Sequence, residues 1–320
     1  MKRQTNLNVI SQERSGVFGL AILWIMLFHS SLRFDWPPLH LIKATGYCGV
    51  DVFLFLSGIG LYYSMENDPS PAHFYKKRAL RVLLPYAVVA VFYEGGRCLL
   101  GHITPAETMA NVTFVSYWRD GVQTYWFIAA IVVFYAVYPL LYKVIKDGNY
   151  WIWVLILALG YGAALLLYQD QAAFYRINGF VFRIPIFLIG CFLAPQVKRG
   201  KEYSLIPTAL LCTVGAMLMW YLWIDCDPWF LRMYLFTPLS LCLVFLGSIV
   251  LSFLRKDGVI QRFLLFFGGM TLELYLVHEK LLAALRPVFP NHNVAVNGLA
   301  VLLAIGLAWC LKRLCERFSP

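Results

Sequence analysis

Six ionisable side chains lie inside long apolar stretches of the chain: His29, Asp51, Glu94, Arg183, Glu273 and His278. Ionisable residues at membrane depth are candidates for function by default, because a bilayer penalises buried charge. The alternative is that they pair with one another inside a helical bundle and serve the fold. Both interpretations apply to each of the six.

His29 has the best placement for proton transfer. It lies in the apolar stretch 24–30, about 13 residues and about 20 Å beyond the start of the first apolar helix. A neutral imidazole both accepts and donates a proton near neutral pH, which a general base requires. The sequence thus suggests a general base within the membrane, and a histidine hydrogen-bonded in the bundle is the structural alternative.

Asp51 opens the second apolar helix, in the stretch Gly49–Gly58. An acid in a first helical turn stabilises the helix dipole, which is the structural interpretation. The functional interpretation is a carboxylate that orients His29 or an acceptor. Further along this helix, Ser57, Gly58 and Gly60 allow close approach, either to another helix or to a ligand in a narrow passage.

A basic block follows the second apolar helix and contains Lys77, Arg78 and Arg81. Arginine forks match phosphate oxygens, so an anionic ligand is one interpretation. Contact with anionic lipid is the other. For Glu273, His278 and Arg183 the structural alternative is mutual pairing inside the bundle, and Glu94 is a candidate structural partner in the same sense.

The elements that must position these residues are membrane helices. Of the 320 residues, 60% are hydrophobic and 14% are charged, against about 25% charged in soluble domains. The apolar runs are about 18–22 residues long, which suits helices that cross a bilayer rather than the short alternating strands of a barrel. We therefore predict a single all-α, polytopic membrane domain over residues 1–320, with about ten spans. The predicted spans are Gly16–Ser31, Cys48–Ser64, Leu83–Leu100, Tyr125–Tyr142, Tyr150–Tyr168, Ile177–Ala194, Leu205–Trp223, Met233–Leu254, Phe263–Leu285 and Val294–Leu311.

The basic residues set the predicted orientation. With the N-terminus inside, most of the 27 lysines and arginines fall in cytoplasmic segments, as the positive-inside rule requires. Both ends, 1–15 and 312–320, are then cytoplasmic tails. The net charge of +10 lies between apolar runs rather than along one face, so no nucleic-acid partner is expected.

The eight cysteines do not indicate a metal site. They form no CxxC pair and have no regular spacing, and small apolar side chains explain them. We expect no bound metal.

Taken in order, four sequence blocks resemble the acyltransferase family 3 of bacterial membrane proteins. The blocks are an arginine-bearing first helix that ends in Phe28-His29, the stretch Gly49–Phe53 with Leu56–Gly58, Phe74 with Lys77-Arg78, Arg81 and Pro85-Tyr86, and Leu274–His278. Weaker echoes are Trp126 with Tyr135, and Arg183-Ile184-Pro185.

The resemblance implies a role for several residues. In that family the histidine of the first helix is regarded as catalytic, which corresponds to His29. Its usual arginine partner lies at the position of Phe18, whereas this chain has Arg14, one helical turn earlier. The proline of the third block, Pro85, follows Arg81 by one residue more than is common.

The resemblance also implies an activity. Members use cytoplasmic acyl-CoA, often acetyl-CoA, as co-substrate without a permanently bound cofactor, and they modify a carbohydrate or glycolipid acceptor at the bacterial inner membrane. Lys77, Arg78 and Arg81 would then meet the CoA phosphates, Ser57 and Gly58 would line the passage, and His29 would act as general base or be transiently acylated. A transporter or flippase and a non-catalytic scaffold are the competing functions.

Overall fold

The computed structural model describes residues 6–147, 170–203, 229–285 and 294–318, with a few single positions between 151 and 217. The first of these ranges is helical almost throughout. Its helices are α1 Asn8–Gln12, α2 Arg14–His29, α3 Pro37–Ala44, α4 Gly49–Asn67, α5 Pro71–Arg78, α6 Leu84–Leu99, α7 Pro105–Val112, α8 Val115–Asp120 and α9 Trp126–Asp147.

The later ranges continue the all-α architecture. Their helices are α10 Gln171–Val181, α11 Ile184–Arg199, α12 Trp229–Phe253, α13 Val259–Gly268, α14 Thr271–Leu285 and α15 Val294–Glu316. Within the described residues, β pairing is limited to an isolated bridge between Asn6 and Glu202. The predicted all-α class is confirmed.

Five helical runs in the described residues are long and apolar enough to cross a membrane, and a sixth is the bent pair α13–α14. The runs are Pro37–Asn67, Pro71–Leu99, Gln123–Lys146, Tyr175–Arg199 and Val294–Glu316. Two shorter apolar helices, Arg14–His29 and Thr237–Phe253, accompany them. The predicted spans Tyr150–Tyr168 and Leu205–Trp223 fall almost wholly outside the described residues, so the count of ten and the orientation of the termini stay predictions.

One predicted helix is interrupted at a proline. The predicted helix Ile177–Ala194 is divided into α10 and α11, because the ring of Pro185 clashes with the carbonyl of Val181, where α10 ends. Arg183 therefore lies at the junction, as the N-cap residue of α11, and not inside a helix. The predicted helix Leu83–Leu100 is found as α6, with Pro85 in its first turn. A π-helical segment, Ala79–Leu83, joins α5 to α6 in one helical run.

The predicted helix Phe263–Leu285 is bent by 76° between α13 and α14. Gly268 and Gly269 stand at the break, and glycine is the weakest helix former after proline. The bend turns α14 so that it contacts α2, α6 and α15. It is this change of direction that brings His278 toward the end of the first apolar helix.

Helix α4 is the centre of the bundle and is buried along most of its length. Its most extensive contact is with α11. A Cβ atom on Gly58 would lie 2.7 Å from the backbone nitrogen of Cys191, and one on Gly190 would collide with the carbonyl of Phe55. The glycines thus allow the two backbones to touch, as small residues do in membrane helix pairs.

Candidate functional site

His29 and His278 face each other across the contact between α2 and α14. Nδ1 of His29 lies 3.1 Å from Nε2 of His278, and the ring centroids are 5.0 Å apart. His29 is the last residue of α2, and His278 is buried within α14. The structure therefore joins the first and fourth sequence blocks, which are 249 residues apart in the chain.

A buried amide fixes the end of α2 next to His29. Oδ1 of Asn297 accepts a hydrogen bond from the backbone N–H of Ser31 at 3.0 Å, and Nδ2 donates to the Ser31 hydroxyl at 2.8 Å. Asn297 lies in α15, so three helices meet at the histidine pair. Asn297 is not among the residues selected from the sequence, although it is a polar residue in a strongly apolar run.

Asp51 and Arg183 form a buried ion pair beside α4. Oδ1 of Asp51 lies 3.7 Å from Nε of Arg183, and both side chains are almost inaccessible. The guanidinium lies over the rings of Tyr47, at 4.2 Å, and Trp126, at 4.7 Å. The structure thus places the Asp51 carboxylate against Arg183, whereas the imidazole beside His29 comes from His278.

A large cavity, of about 1020 Å³, opens between α2, α4, α5, α9, α14 and α15. Its outer part is basic. The basic residues that line it are Arg14, Lys76, Lys77, Arg78, Arg81 and Lys312. Three acids also line it, Asp68, Glu273 and Glu316, and hydrogen bonds from the backbone of Ser70 and from His73 lower the pKa of the Asp68 carboxyl. The predicted basic block and Arg14 therefore belong to one site.

Arg14 enters the cavity along the face of α2 that carries Phe18. Its guanidinium lies 5.1 Å from the Phe18 ring centroid, and a Cβ atom on Gly60 of α4 would collide with that guanidinium. A glycine at position 60 is thus what makes room for Arg14. Arg14 lies one helical turn before Phe18, but its guanidinium reaches the level of Phe18. That is the position at which the family resemblance implies an arginine.

Arg78 is held from two sides. It donates a hydrogen bond to the hydroxyl of Ser64 at 3.0 Å, and its guanidinium lies over the rings of Phe74, at 5.5 Å, and Tyr135, at 5.8 Å. These contacts orient the guanidinium before any ligand arrives. Tyr135 also lines the cavity, so this residue, which belongs to a weaker part of the family resemblance, is part of the site.

Aromatic side chains line the inner part of the cavity and lead to the histidine pair. Ring centroids are 5.6 Å apart for Phe18 and Phe53, 6.2 Å for Phe53 and Phe127, and 4.8 Å for Phe127 and Tyr275. The Tyr275 ring in turn lies 5.9 Å from the His278 ring. The basic end and the histidines are therefore connected by one continuous apolar wall.

The remaining predicted residues divide between this cavity and other places. Ser57 lines the cavity, as does Glu273, whereas Gly58 packs against α11 and does not belong to the passage. The structural alternative for Glu273 was a pair with His278 or Arg183. In the structure Glu273 lines the cavity, as do the basic residues Arg81 and Lys312. Glu94 lies in a separate buried cluster, 3.0 Å from Arg97 and 2.9 Å from Asn111.

Within the described part of the chain, no group of three or more His, Cys, Asp or Glu side chains is arranged to hold a metal ion. The site that the structure assembles consists of a basic region, an apolar wall and a pair of imidazoles. Such a set is suited to binding a long anionic molecule and to moving a proton at its far end.

Comparison with known proteins identifies the family. No curated protein and no solved structure matches the chain. A family profile for an acyltransferase domain matches residues 19–313, which is nearly the whole chain and includes His29, the basic block, the aromatic wall from Phe53 onward and His278. The chain therefore belongs to the acyltransferase 3 family of membrane acyltransferases.

Proposed function

We propose that this protein moves an acyl group, with acetyl as the first candidate, from cytoplasmic acyl-CoA to a hydroxyl of a cell-envelope or extracellular carbohydrate. One observation supports this most strongly. A single cavity is basic at one end and is lined further in by Phe53, Phe127 and Tyr275, and the Tyr275 ring lies 5.9 Å from that of His278, the partner of His29.

The basic end suits the donor. CoA carries a diphosphate and a third phosphate at one end and its thioester at the other, so it needs cations far from the reacting carbon. Arg14, Arg78 and Arg81 offer forked donors at that end, and the cavity of about 1020 Å³ lies at the upper limit of ordinary ligand pockets. The apolar wall suits the pantetheine arm and the acyl chain.

The chemistry proposed for His29 has two forms. In direct transfer, His29 takes the proton of the acceptor hydroxyl while its oxygen attacks the thioester carbonyl, the C–S bond breaks, and the CoA thiolate leaves. In a relay, a nitrogen of His29 attacks first, the thiolate leaves, and the acceptor hydroxyl then displaces the imidazole and loses its proton. Both forms end with an ester and free CoA.

The proposed setting is the inner membrane of a bacterium. Positive-inside orientation puts both termini and the basic mouth of the cavity in the cytoplasm, where acyl-CoA is present. His29 lies at the opposite end of α2 from Arg14, nearer the carbohydrate or glycolipid acceptor. The partners in this proposal are membrane lipid, acyl-CoA and the acceptor.

Transport of a polar substrate is the rival function, because a bent helix pair such as α13–α14 is a feature that transporters also use. A transporter or flippase needs no thioester, and a scaffold needs no His29. Consumption of the donor therefore separates both rivals from the enzyme.

The test uses purified protein in nanodiscs and acetyl-CoA labelled on the acetyl group. We expect the wild type to transfer label to a crude envelope-glycan fraction and to release CoA, and we expect His29→Ala to do neither while keeping its fold. Near-wild-type transfer by His29→Ala would refute both forms of the chemistry. A folded wild type that consumes neither acetyl-CoA nor longer acyl-CoAs would refute the proposed function.

A further inference from the structure

Both imidazoles of the histidine pair are oriented by their own helices. Nδ1 of His278 lies 2.8 Å from the carbonyl oxygen of Leu274, and Nδ1 of His29 lies 3.1 Å from that of Ile25. In each case the carbonyl belongs to the residue four positions earlier in the helix. A carbonyl oxygen only accepts hydrogen bonds, so each Nδ1 must carry the proton.

The hydrogen bond between the two rings therefore has a defined donor and a defined acceptor. A neutral imidazole has a single N–H, so a proton on Nδ1 of His278 leaves a lone pair on its Nε2. That Nε2 lies 3.1 Å from Nδ1 of His29 and accepts its N–H. The Nδ1–H of His29 is thus shared between the Ile25 carbonyl and His278, and the lone pair of His29 resides on Nε2.

From this geometry we infer that His278 is a positioning residue: together with the Ile25 carbonyl, it holds His29 in the tautomer whose Nε2 accepts the proton or the acyl group. The inference rests on the proposed function for its catalytic meaning. His278 does not itself serve as the base, because its Nε2 is directed at His29. His278 has the place that a carboxylate occupies in other histidine-dependent enzymes.

The pair also accommodates the change of charge during the reaction. When Nε2 of His29 takes the hydroxyl proton, the imidazolium keeps its Nδ1–H on Nε2 of His278, and that hydrogen bond becomes charge-assisted. In the relay, the new bond joins Nε2 to the acyl carbon, the C–S bond breaks, and the same Nδ1–H again has an acceptor. In the other tautomer Nε2 carries the proton, so it can neither accept the hydroxyl proton nor attack the acyl carbon.

The tautomer is measurable without any turnover. Protein labelled with ¹⁵N-histidine in nanodiscs gives separate nitrogen resonances for protonated and unprotonated ring positions, and His29→Ala identifies those of His29 by their loss. We expect neutral His29 in the wild type to be protonated at Nδ1 and unprotonated at Nε2. We expect His278→Phe, which keeps an aromatic ring but removes the acceptor, to give a mixture of the two tautomers. A wild type protonated at Nε2, or a His278→Phe protein with an unchanged spectrum, would overturn the inference.

Kinetics test the same role. We expect His278→Phe to lower kcat by about 100-fold, in the range of a lost general-base contribution, with the KM for acetyl-CoA unchanged. His278→Gln, whose side-chain oxygen replaces Nε2 as acceptor, is expected to restore most of the rate and the wild-type tautomer. Substitution of a purely structural residue would raise KM or lower stability, and His278→Gln would not rescue it.

If His278→Phe does not fold, the tautomer of His29 in His278→Gln decides, and a change there contradicts the inference. A wild type without acyl transfer refutes the proposed function, whereas the spectra still decide the role of His278.

Discussion

At the residue scale, the Asp51 carboxylate pairs with Arg183 rather than with His29, the histidine that the sequence suggested. The two side chains form a pair inside the bundle, and Tyr47 and Trp126 cover the guanidinium. Removing one member of a buried pair leaves an unpaired charge, which costs about 3–5 kcal/mol.

We therefore expect Asp51→Asn to lower the thermal unfolding midpoint strongly, and the double variant Asp51→Asn/Arg183→Met to recover part of the loss. Thermal unfolding in detergent measures both. Loss of acyl transfer by Asp51→Asn at an unchanged midpoint would instead support a direct role for this carboxylate.

Arg14 is the residue where this chain departs from the common family pattern. Because its guanidinium reaches Phe18 and lines the cavity, we expect Arg14→Gln to raise the KM for acetyl-CoA by about 10-fold, the effect of one lost charged hydrogen bond, with little change in kcat. The double variant Arg14→Gln/Phe18→Arg is expected to restore the KM. Arg262→Gln, a basic residue outside the cavity lining, serves as the control. Equal KM values for wild type and Arg14→Gln would remove Arg14 from the donor site.

At the element scale, the contact between α4 and α11 depends on Gly190. Because an added Cβ would meet the Phe55 carbonyl, the helices must separate, and we expect Gly190→Ala to destabilise the protein by about 1–3 kcal/mol. Gly306→Ala is the matched control, since nothing lies within 4 Å of a Cβ there and alanine is the better helix former. Unfolding midpoints compare the two. Equal behaviour of both variants would mean that α4 and α11 are not in backbone contact.

The π-helical segment Ala79–Leu83 accounts for the additional residue between Arg81 and Pro85. A π-type turn absorbs one inserted residue without rotating the helices on either side. We therefore expect deletion of Leu83, which is exposed, to convert the segment to regular α-helix and to retain folding and acyl transfer. Deletion of Val91, exposed within regular α6, rotates all that follows by about 100° and is expected to abolish folding. Size-exclusion profiles and the transfer assay compare the two deletions, and equal harm from both would contradict this role of the π-helical segment.

At the scale of the whole molecule, the proposed function requires the basic mouth of the cavity to face the cytoplasm, so that acyl-CoA can enter. Asp68 lies at that mouth, and Thr104 begins α7 in the following connection. In a cysteine-free background, we expect a membrane-impermeant maleimide to label Thr104→Cys in intact cells and Asp68→Cys only after the inner membrane is opened. The reverse pattern would invert the predicted topology and make cytoplasmic acyl-CoA the wrong donor.

The sequence by itself determined the class of the molecule and its chemical inventory. Apolar runs of membrane length specify helices because backbone groups in a bilayer must be satisfied within each segment. The ionisable residues within those runs were visible for the same reason, since few other charges accompany them. The arginines, His29 and His278 could therefore be selected from the printed chain, and the order of the blocks indicated the family.

Only the tertiary structure decided which of these residues meet. Hydropathy does not encode the bend at Gly268 and Gly269, which directs His278 to His29, or the break at Pro185, which leaves Arg183 beside Asp51. It also could not distinguish Gly58, which packs against α11, from Gly60, which makes room for Arg14. The physical reason is that apolar composition sets the depth of a residue in the bilayer, whereas the partner of its side chain depends on helix rotation and crossing. Those are fixed by close packing between elements far apart in the chain.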